Sequence, residues 1–264
     1  MSTIAVLGLG EAGRIYARGL IDAGVRVRGY DQSAHLTLPG IDRARTAAEA
    51  ADGAEVVLSL VGAHASADIA AAALPAVGTA AVYADLNTAS PRVKQEIGAL
   101  AVTQGVAMAD VAVLAPVPRA GIRTPLLASG PGAETLADRL RPLDVPIVPM
   151  HAAVGEAARL KLLRSVFMKG LAALVVEGTT AARAVGAEDW LRAQIAGELG
   201  PDGDALIDRL IDGTYRHAHR RRDEVADALA MLEGDGDPAD MTRATLSWFE
   251  RIIDDEGDAA ASPR

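Results

Sequence analysis

The sequence predicts a doubly wound α/β domain, an open parallel sheet with helices on both faces, followed by a smaller all-α C-terminal domain. Short apolar runs alternate with helical patterns from residue 4 to about 150, as in consecutive strand–helix–strand units. A glycine-rich turn joins the first run to the first helix. Beyond residue 152 the alternation stops, and proline-poor stretches with apolar residues at helical spacing take over. The expected division is 1–152 for the sheet domain, 153–255 for the helical domain and 256–264 for a polar, disordered tail.

Ile4, Ala5, Val6 and Leu7 form an unbroken apolar run, the pattern of a parallel strand covered on both faces. Gly8, Leu9, Gly10, Glu11, Ala12 and Gly13 follow at once. In such a turn the first glycine permits a tight bend, the second lets backbone amides approach a pyrophosphate, and the third lets the new helix press on the strand. The helix N-terminus then offers free N–H groups to the phosphates. Arg14–Ala23 continues at helical spacing and Gly24 stops it. Val25–Tyr30 is a second strand ending in Asp31 and Gln32. A carboxylate there accepts hydrogen bonds from an adenosine ribose and repels a 2′-phosphate. This is the Rossmann-type fingerprint, and it favours NAD, with NADP possible and FAD sharing the pattern.

After a polar connection, Thr46-Ala47-Ala48-Glu49 is a capping-box pattern that opens an alanine-rich helix. Glu55–Val61 is a buried strand, and Val61 leads into the loop Gly62–Ser66 on the ligand-binding side of an open α/β sheet. Ala80–Asp85 repeats the pattern, with Asn87 in the loop beyond it and Ser90-Pro91 as N-cap and first helical residue. Gly8 to Gly13, Asp31, Gln32, Val61 and Asn87 are the expected cofactor contacts. Val106–Leu114 is the next strand, and its exit carries Pro116, Pro118 and Pro125 with Arg119 and Arg123 between them. Leu126–Ser129, Glu134–Leu140 and Val145–Val148 read as strand, helix and strand. Gly155 to about Ala184 reads as one helix, about 45 Å long. Helical segments follow near Asp189–Leu199, Asp204–Leu232 and Ala239–Ile253.

Half of the 264 residues are hydrophobic but only 3% are aromatic, so the core is built from Ala, Val, Leu and Ile. A net charge of −9 argues against a nucleic-acid partner. With no cysteine, disulfides, thiolate nucleophiles and Cys-ligated metals are excluded, and His64, His151 and His219 have no Asp or Glu at metal-ligand spacing. No long uncharged apolar segment predicts a membrane span, and the chain opens in a strand rather than a signal peptide. A cytoplasmic location is expected.

The chain holds three lysines, Lys94, Lys161 and Lys169. Lys161, Ser165 and Lys169 are spaced by four and project from one helix face, with Arg164 beside them. That face either serves chemistry, as a proton-transferring ammonium among anion-binding partners, or is an ordinary solvated one.

The glycine turn, the loop Asp85-Leu86-Asn87-Thr88-Ala89-Ser90-Pro91, the segment around Asp110 and Gly155-Glu156-Ala157-Ala158-Arg159-Leu160-Lys161 resemble the β-hydroxyacid dehydrogenases, the superfamily of 3-hydroxyisobutyrate and 6-phosphogluconate dehydrogenases. APVPRAGIRTPLLASGP, LKLLRSVFMKGLAALVVE and RHAHRRRDEV, in this order, are similar to a branch with a short helical C-terminal domain of uncharacterised role.

The resemblance implies hydride transfer between nicotinamide and a small anionic hydroxy acid or its keto form, with Lys161 as general acid/base. Ser165, preceded by Arg164, stands where the superfamily carries a substrate-binding asparagine. Leu114-Ala115-Pro116 replaces its Ser-Gly-Gly, and Met168 stands where decarboxylating members have glutamate, which speaks against decarboxylation. A closed cleft beside Lys169 and Arg164 would lower the Lys161 pKa by desolvation and like-charge repulsion. Arg119 and Arg123 either grip an anionic substrate group bidentately or pin their loop to the protein's own carboxylates. Arg119, Arg123, Arg164, Ser165 and Lys169 are thus the expected substrate contacts. An imine reductase-like enzyme is the near alternative, although those relatives lack the catalytic lysine. A non-catalytic NAD(P)H-binding sensor is the alternative from another class. Gly155–Ala184 is apolar around more than one face, which predicts a homodimer through the helical domain, as in the relatives. His217, in the basic run Arg216–Arg222, is a candidate to line a neighbouring subunit's site.

Overall fold

The computed structural model describes residues 3–33, 35, 36 and 38–261, with no side chains described for 256–261. It divides into two compact units, Met1–Lys161 and Leu162–Arg264.

The first unit is built on an eight-stranded sheet: β1 (Thr3–Leu7), β2 (Arg26–Tyr30), β3 (Asp42–Arg43), β4 (Val56–Ser59), β5 (Val82–Asp85), β6 (Ala107–Val113), β7 (Leu126–Ser129) and β8 (Ile147–Pro149). Their order is β3-β2-β1-β4-β5-β6-β7-β8, so chain progress reverses between β1 and β4 and opens a crevice at their C-terminal ends. Helices α1 (Glu11–Asp22), α2 (Ala47–Ala51), α3 (Ser66–Ala73), α4 (Pro91–Thr103), the single turn α5 (Val117–Ala120) and α6 (Ala133–Leu140) complete the unit. Strand alternation gives each face its own core. Val6, Leu58, Ala84 and Ala128 meet Tyr16 and Leu20 of α1 and Leu136 and Leu140 of α6. Ala5, Leu7, Val57, Tyr83 and Met108 meet a cover made largely of alanines, Ala47, Ala50, Ala51, Ala70 and Ala73, with Ile97 and Ala101 of α4. Small side chains there let short helices sit close to the sheet.

The sheet departs from the all-parallel expectation at one place: β7 runs antiparallel to β6, and β8 is parallel to β7. The cause is the connection. A parallel crossover needs a helix long enough to span the sheet, and the proline-rich segment between β6 and β7 forms only α5 and one 3₁₀ turn at Gly121–Arg123.

The long helix α7 runs from Glu156 to Ala184, as the apolar spacing predicts. The division between the units falls after Lys161, inside α7, rather than at 152/153, because the first turn of α7 is hydrogen-bonded to the sheet. The second unit continues with α8 (Glu188–Leu199), α9 (Gly203–Arg216), α10 (Ala218–Asp235) and α11 (Asp240–Ala261). Ala172 and Val175 of α7 pack with Ala196, Ile207 and Leu210, and Val176 packs with Ala218 and Ile252. The single segment expected over Asp204–Leu232 is two helices, because His217 leaves helical geometry (φ −131, ψ 29). The tail expected from residue 256 is helical as far as Ala261, and the remainder of that expectation, 262–264, lies outside the described residues.

Candidate active site

The glycine turn has the geometry its sequence implies. Gly8 has φ 92, and a Cβ on it would sit 2.5 Å from the carbonyl oxygen of Leu60, so no other residue fits without rebuilding the turn. A Cβ on Gly13 would sit 1.8 Å from the Gly8 carbonyl oxygen, the mark of a helix pressed onto its own turn. Gly10, by contrast, is exposed, with nothing within 4 Å of the Cβ position, and it N-caps α1 without a side-chain acceptor. The first-turn N–H groups at Glu11, Ala12 and Gly13 therefore lack a side-chain cap at a site open to a ligand. A helix N-terminus of this kind suits a pyrophosphate.

Asp31 stands at the end of β2, half-buried. One carboxylate oxygen accepts from Leu9 N–H at 2.6 Å and the other from Ser33 N–H at 2.8 Å. The aspartate thus locks the glycine turn to the second strand while each oxygen keeps a further lone pair for a ribose hydroxyl. Gln32 is exposed beside it. Arg43, from the unpredicted β3, donates to the carbonyls of Asp31 at 2.7 Å and Ser33 at 3.1 Å, fixing the same loop. The residues present fit a dinucleotide: an open glycine, uncapped amides and an oriented acid converge at one end of the sheet.

A second feature lies further along the strand ends. Parallel and antiparallel register place Leu7, Ser59, Asp85, Asp110 and Ser129 in one row across β1, β4, β5, β6 and β7, all on the face covered by α4. The last four are polar and fully buried. Asn87, also buried, donates to Ser59 Oγ at 3.0 Å and to Asp85 Oδ1, and accepts from Gly62 N–H at 2.7 Å, tying the loop after Val61 to the loop after β5. Lys94 reaches into the row from α4. It is 1% exposed, donates to the Asp85 carbonyl at 2.7 Å and stands 3.2 Å from an Asp110 oxygen.

The start of α7 is docked on the same row. Asp110 Oδ2 accepts from Gly155 N–H at 3.2 Å and Ala158 N–H at 3.0 Å, and Ser129 Oγ accepts from Ala157 N–H at 3.0 Å. These are the amides a helix N-terminus leaves without intrahelical partners. One turn on, half-buried Lys161 donates to Thr88 Oγ1 at 2.9 Å, next to Asn87. Lys161 and Asn87, assigned separately from sequence, thus meet through Thr88.

The remaining candidates are placed as follows. Arg119 is exposed on α5, and the turn after it lies against α1, where Ile122 fills the space beside Gly19. Arg123 forms an ion pair with Asp144, both largely exposed. Arg164 is exposed on α7. Ser165 is buried and accepts from Lys169 at 3.3 Å, and Lys169 pairs with Glu224 of α10 at 2.6 Å. Burial lowers the Lys169 pKa from its ordinary value, against the opposing pull of Glu224. Part of the basic run serves the helical unit: Arg220 holds Glu224, the partner of Lys169 on α7, and Arg221 donates to Thr214 of α9 at 2.8 Å. Sequence reasoning left Thr88, Lys94, Ser59 and Ser129 without roles.

Residues 3–143 match the family model described as the NAD binding domain of 6-phosphogluconate dehydrogenase, and residues 182–252 match a domain of unknown function (DUF1932). The chain is 32% identical over 173 residues to a probable 3-hydroxyisobutyrate dehydrogenase of Mycobacterium tuberculosis, covering 60% of this chain and 57% of that protein. It is 31% identical over 211 residues to the NAD-dependent L-serine dehydrogenase of Pseudomonas aeruginosa, covering 75% and 69%. The match thus spans less than two thirds of the first relative's length. Among solved structures, the conserved protein MTH1747, described as structurally similar to 3-hydroxyacid dehydrogenases, superposes with a TM-score of 0.81 at 25% identity, over 96% of this chain and 97% of that one. A Streptomyces aurantiacus imine reductase shares the fold, with a TM-score of 0.63 at 20% identity over 96% and 95%.

Proposed function

The chain belongs to the β-hydroxyacid dehydrogenase superfamily, and we propose that it is an NAD-dependent oxidoreductase that moves a hydride between nicotinamide and a small anionic hydroxy acid or its keto form. The observation that carries the reading is the Lys161 to Thr88 hydrogen bond, which holds an amine at the strand ends, on the loop that also carries Asn87. Gly8 to Gly13, Asp31 and Gln32 would hold the dinucleotide, which would accept or donate the hydride. Lys161 exchanges the proton on the substrate oxygen: it takes the hydroxyl proton in the oxidising direction and returns it to the carbonyl oxygen in the reducing one. No glutamate follows Lys161 by two turns, Met168 standing there, so the reaction stops at the keto acid. Arg123 is proposed to release Asp144 for an incoming carboxylate, an exchange made cheap by the exposure of the pair. Arg119 and Arg164 are further proposed substrate contacts, whereas Ser165 and Lys169 hold each other and Glu224.

Among the described residues no helix is long and apolar enough to cross a membrane. Dependence on a cellular NAD pool makes the cytoplasm the proposed location, and an apolar stripe on α7 supports a homodimer. The test is a panel of small hydroxy acids with NAD and of their keto forms with NADH, followed at 340 nm. Turnover of at least one acid, lost in Lys161→Ala, supports the reading. Tight NADH binding with no turnover across the panel overturns it in favour of a sensor.

A further inference from the structure

We propose that Lys94 and Asp110 are positioning residues, which set where the Lys161 amine stands and thereby its proton affinity. Only the kinetic part of the test below rests on the dehydrogenase reading.

A lysine whose amine is taken out of water is tolerated only where it is paired, and a leucine or methionine would fill the same space between α4 and the sheet. The pairing is specific. Lys94 Nζ donates to the Asp85 carbonyl at 2.7 Å and faces the two carboxylate oxygens that accept no hydrogen bond, Asp110 Oδ1 at 3.2 Å and Asp85 Oδ2 at 3.5 Å. From each aspartate a chain of contacts leads to the same amine. Asp85 Oδ1 accepts from the Asn87 backbone N–H at 2.9 Å and from its side chain at 2.5 Å, and the next residue, Thr88, receives Lys161 Nζ at 2.9 Å. Asp110 Oδ2 accepts from Gly155 and Ala158 N–H, with Ser129 between it and Ala157 N–H at 3.0 Å. Ala158 precedes Lys161 by three residues, less than one helical turn. The contacts close into a ring, Lys94–Asp85–Asn87–Thr88–Lys161–Ala158–Asp110–Lys94, in which one arm fixes a partner of the amine and the other fixes the helix that carries it. Lys94 joins the two arms. A purely structural ion pair has no reason to end, on both sides, at one half-buried amine.

The chain has only three lysines, so the test reads Lys161 directly. The full-length protein is labelled by reductive methylation with ¹³C-formaldehyde, which keeps the charge on the amine, and the Lys161 signal is identified by its loss in Lys161→Arg. Asp110→Asn and Ser129→Ala are expected to move the Lys161 titration midpoint, leaving that of the chain's α-amino group in place, and Ser129→Thr is expected to restore it. These milder variants carry the test even where Lys94→Met fails to fold. In unlabelled protein, Asp110→Asn is expected to lower kcat by on the order of a hundredfold, the usual effect of a misplacement of about 1 Å, with NADH affinity unchanged. An unmoved Lys161 titration in both variants overturns the proposal whatever the activity. A moved titration in a protein that turns over no hydroxy acid upholds the positioning and overturns the dehydrogenase reading instead. A moved titration with unchanged kcat in an active enzyme overturns the claim that this positioning serves turnover.

Discussion

Asp31 does two things with one carboxylate. It accepts from Leu9 and Ser33 N–H, holding the glycine turn, and it presents remaining lone pairs where a ribose would lie. NADH is therefore expected to bind more tightly than NADPH. Asp31→Ala should weaken both cofactors and narrow the gap between them, as read by fluorescence titration. A wild type that prefers NADPH would mean that Arg43, held at the Asp31 and Ser33 carbonyls, outweighs the acid. The two lysines of α7 separate in the same way. Lys161→Ala should lose on the order of a hundred- to ten-thousand-fold in turnover at saturation, with NADH affinity nearly unchanged. Lys169 is committed to Glu224 and Ser165, so Lys169→Met should act on stability. Its folded pKa lies below the ordinary 10.5, so between the two values the unfolded chain binds more protons. The Lys169 contribution to unfolding free energy then rises with pH towards 10.5, and is lost as pH falls through the folded value. Denaturant titrations across the alkaline range should show this slope in the wild type and its absence in Lys169→Met; parallel curves would refute the assignment.

Elements were legible where one local rule decides them, and obscure where register decides. The glycine turn, the Ser90-Pro91 start of α4 and the uninterrupted α7 each follow from adjacent residues; Ser90 does accept from Val93 N–H. The polar row does not. Ser59, Asp85, Asp110 and Ser129 lie tens of residues apart in four strands, and only their pairing brings them level. Lys94 was hidden for a related reason: on an isolated helix a lysine reads as solvated, and nothing local shows that its face meets two carboxylates. The break between α9 and α10 was missed because His217 is neither glycine nor proline and the apolar spacing runs on across it. Gly155 belongs to the legible group once its conformation is known. It has φ 103, and an added Cβ would stand 3.1 Å from the Pro91 carbonyl oxygen. Gly155→Ala should destabilise the protein by about 1–3 kcal/mol, measured as a lower denaturant midpoint. An unchanged midpoint would show that the α7 entry tolerates an ordinary residue.

At the scale of the whole molecule, α7 carries an exposed apolar side. Leu163, Phe167 and Leu174 are 41%, 68% and 56% exposed, and Leu160 is 40% exposed. At about 100° per residue these four project within about 60° of one another, while Lys161, Ser165 and Lys169 project from the opposite side. Apolar stripes of this length on a helix are normally covered, and a second copy offering the same stripe across a two-fold axis covers both at once. Finishing the burial of four half-exposed side chains is worth about 1 kcal/mol each. Eight of them across a symmetric pair give about 8 kcal/mol of gross burial, against which stands the lost freedom of the two chains. Each substitution in such an interface counts twice. Phe167→Glu should therefore remove about 2 kcal/mol of apolar burial and weaken association about thirtyfold or more. Light scattering at tens of micromolar should report a dimer for the wild type and a monomer for Phe167→Glu, with the Lys161 side of the helix unaltered. A wild-type monomer at that concentration, or a Phe167→Glu variant that stays dimeric, would mean that the stripe is not where copies of the chain meet.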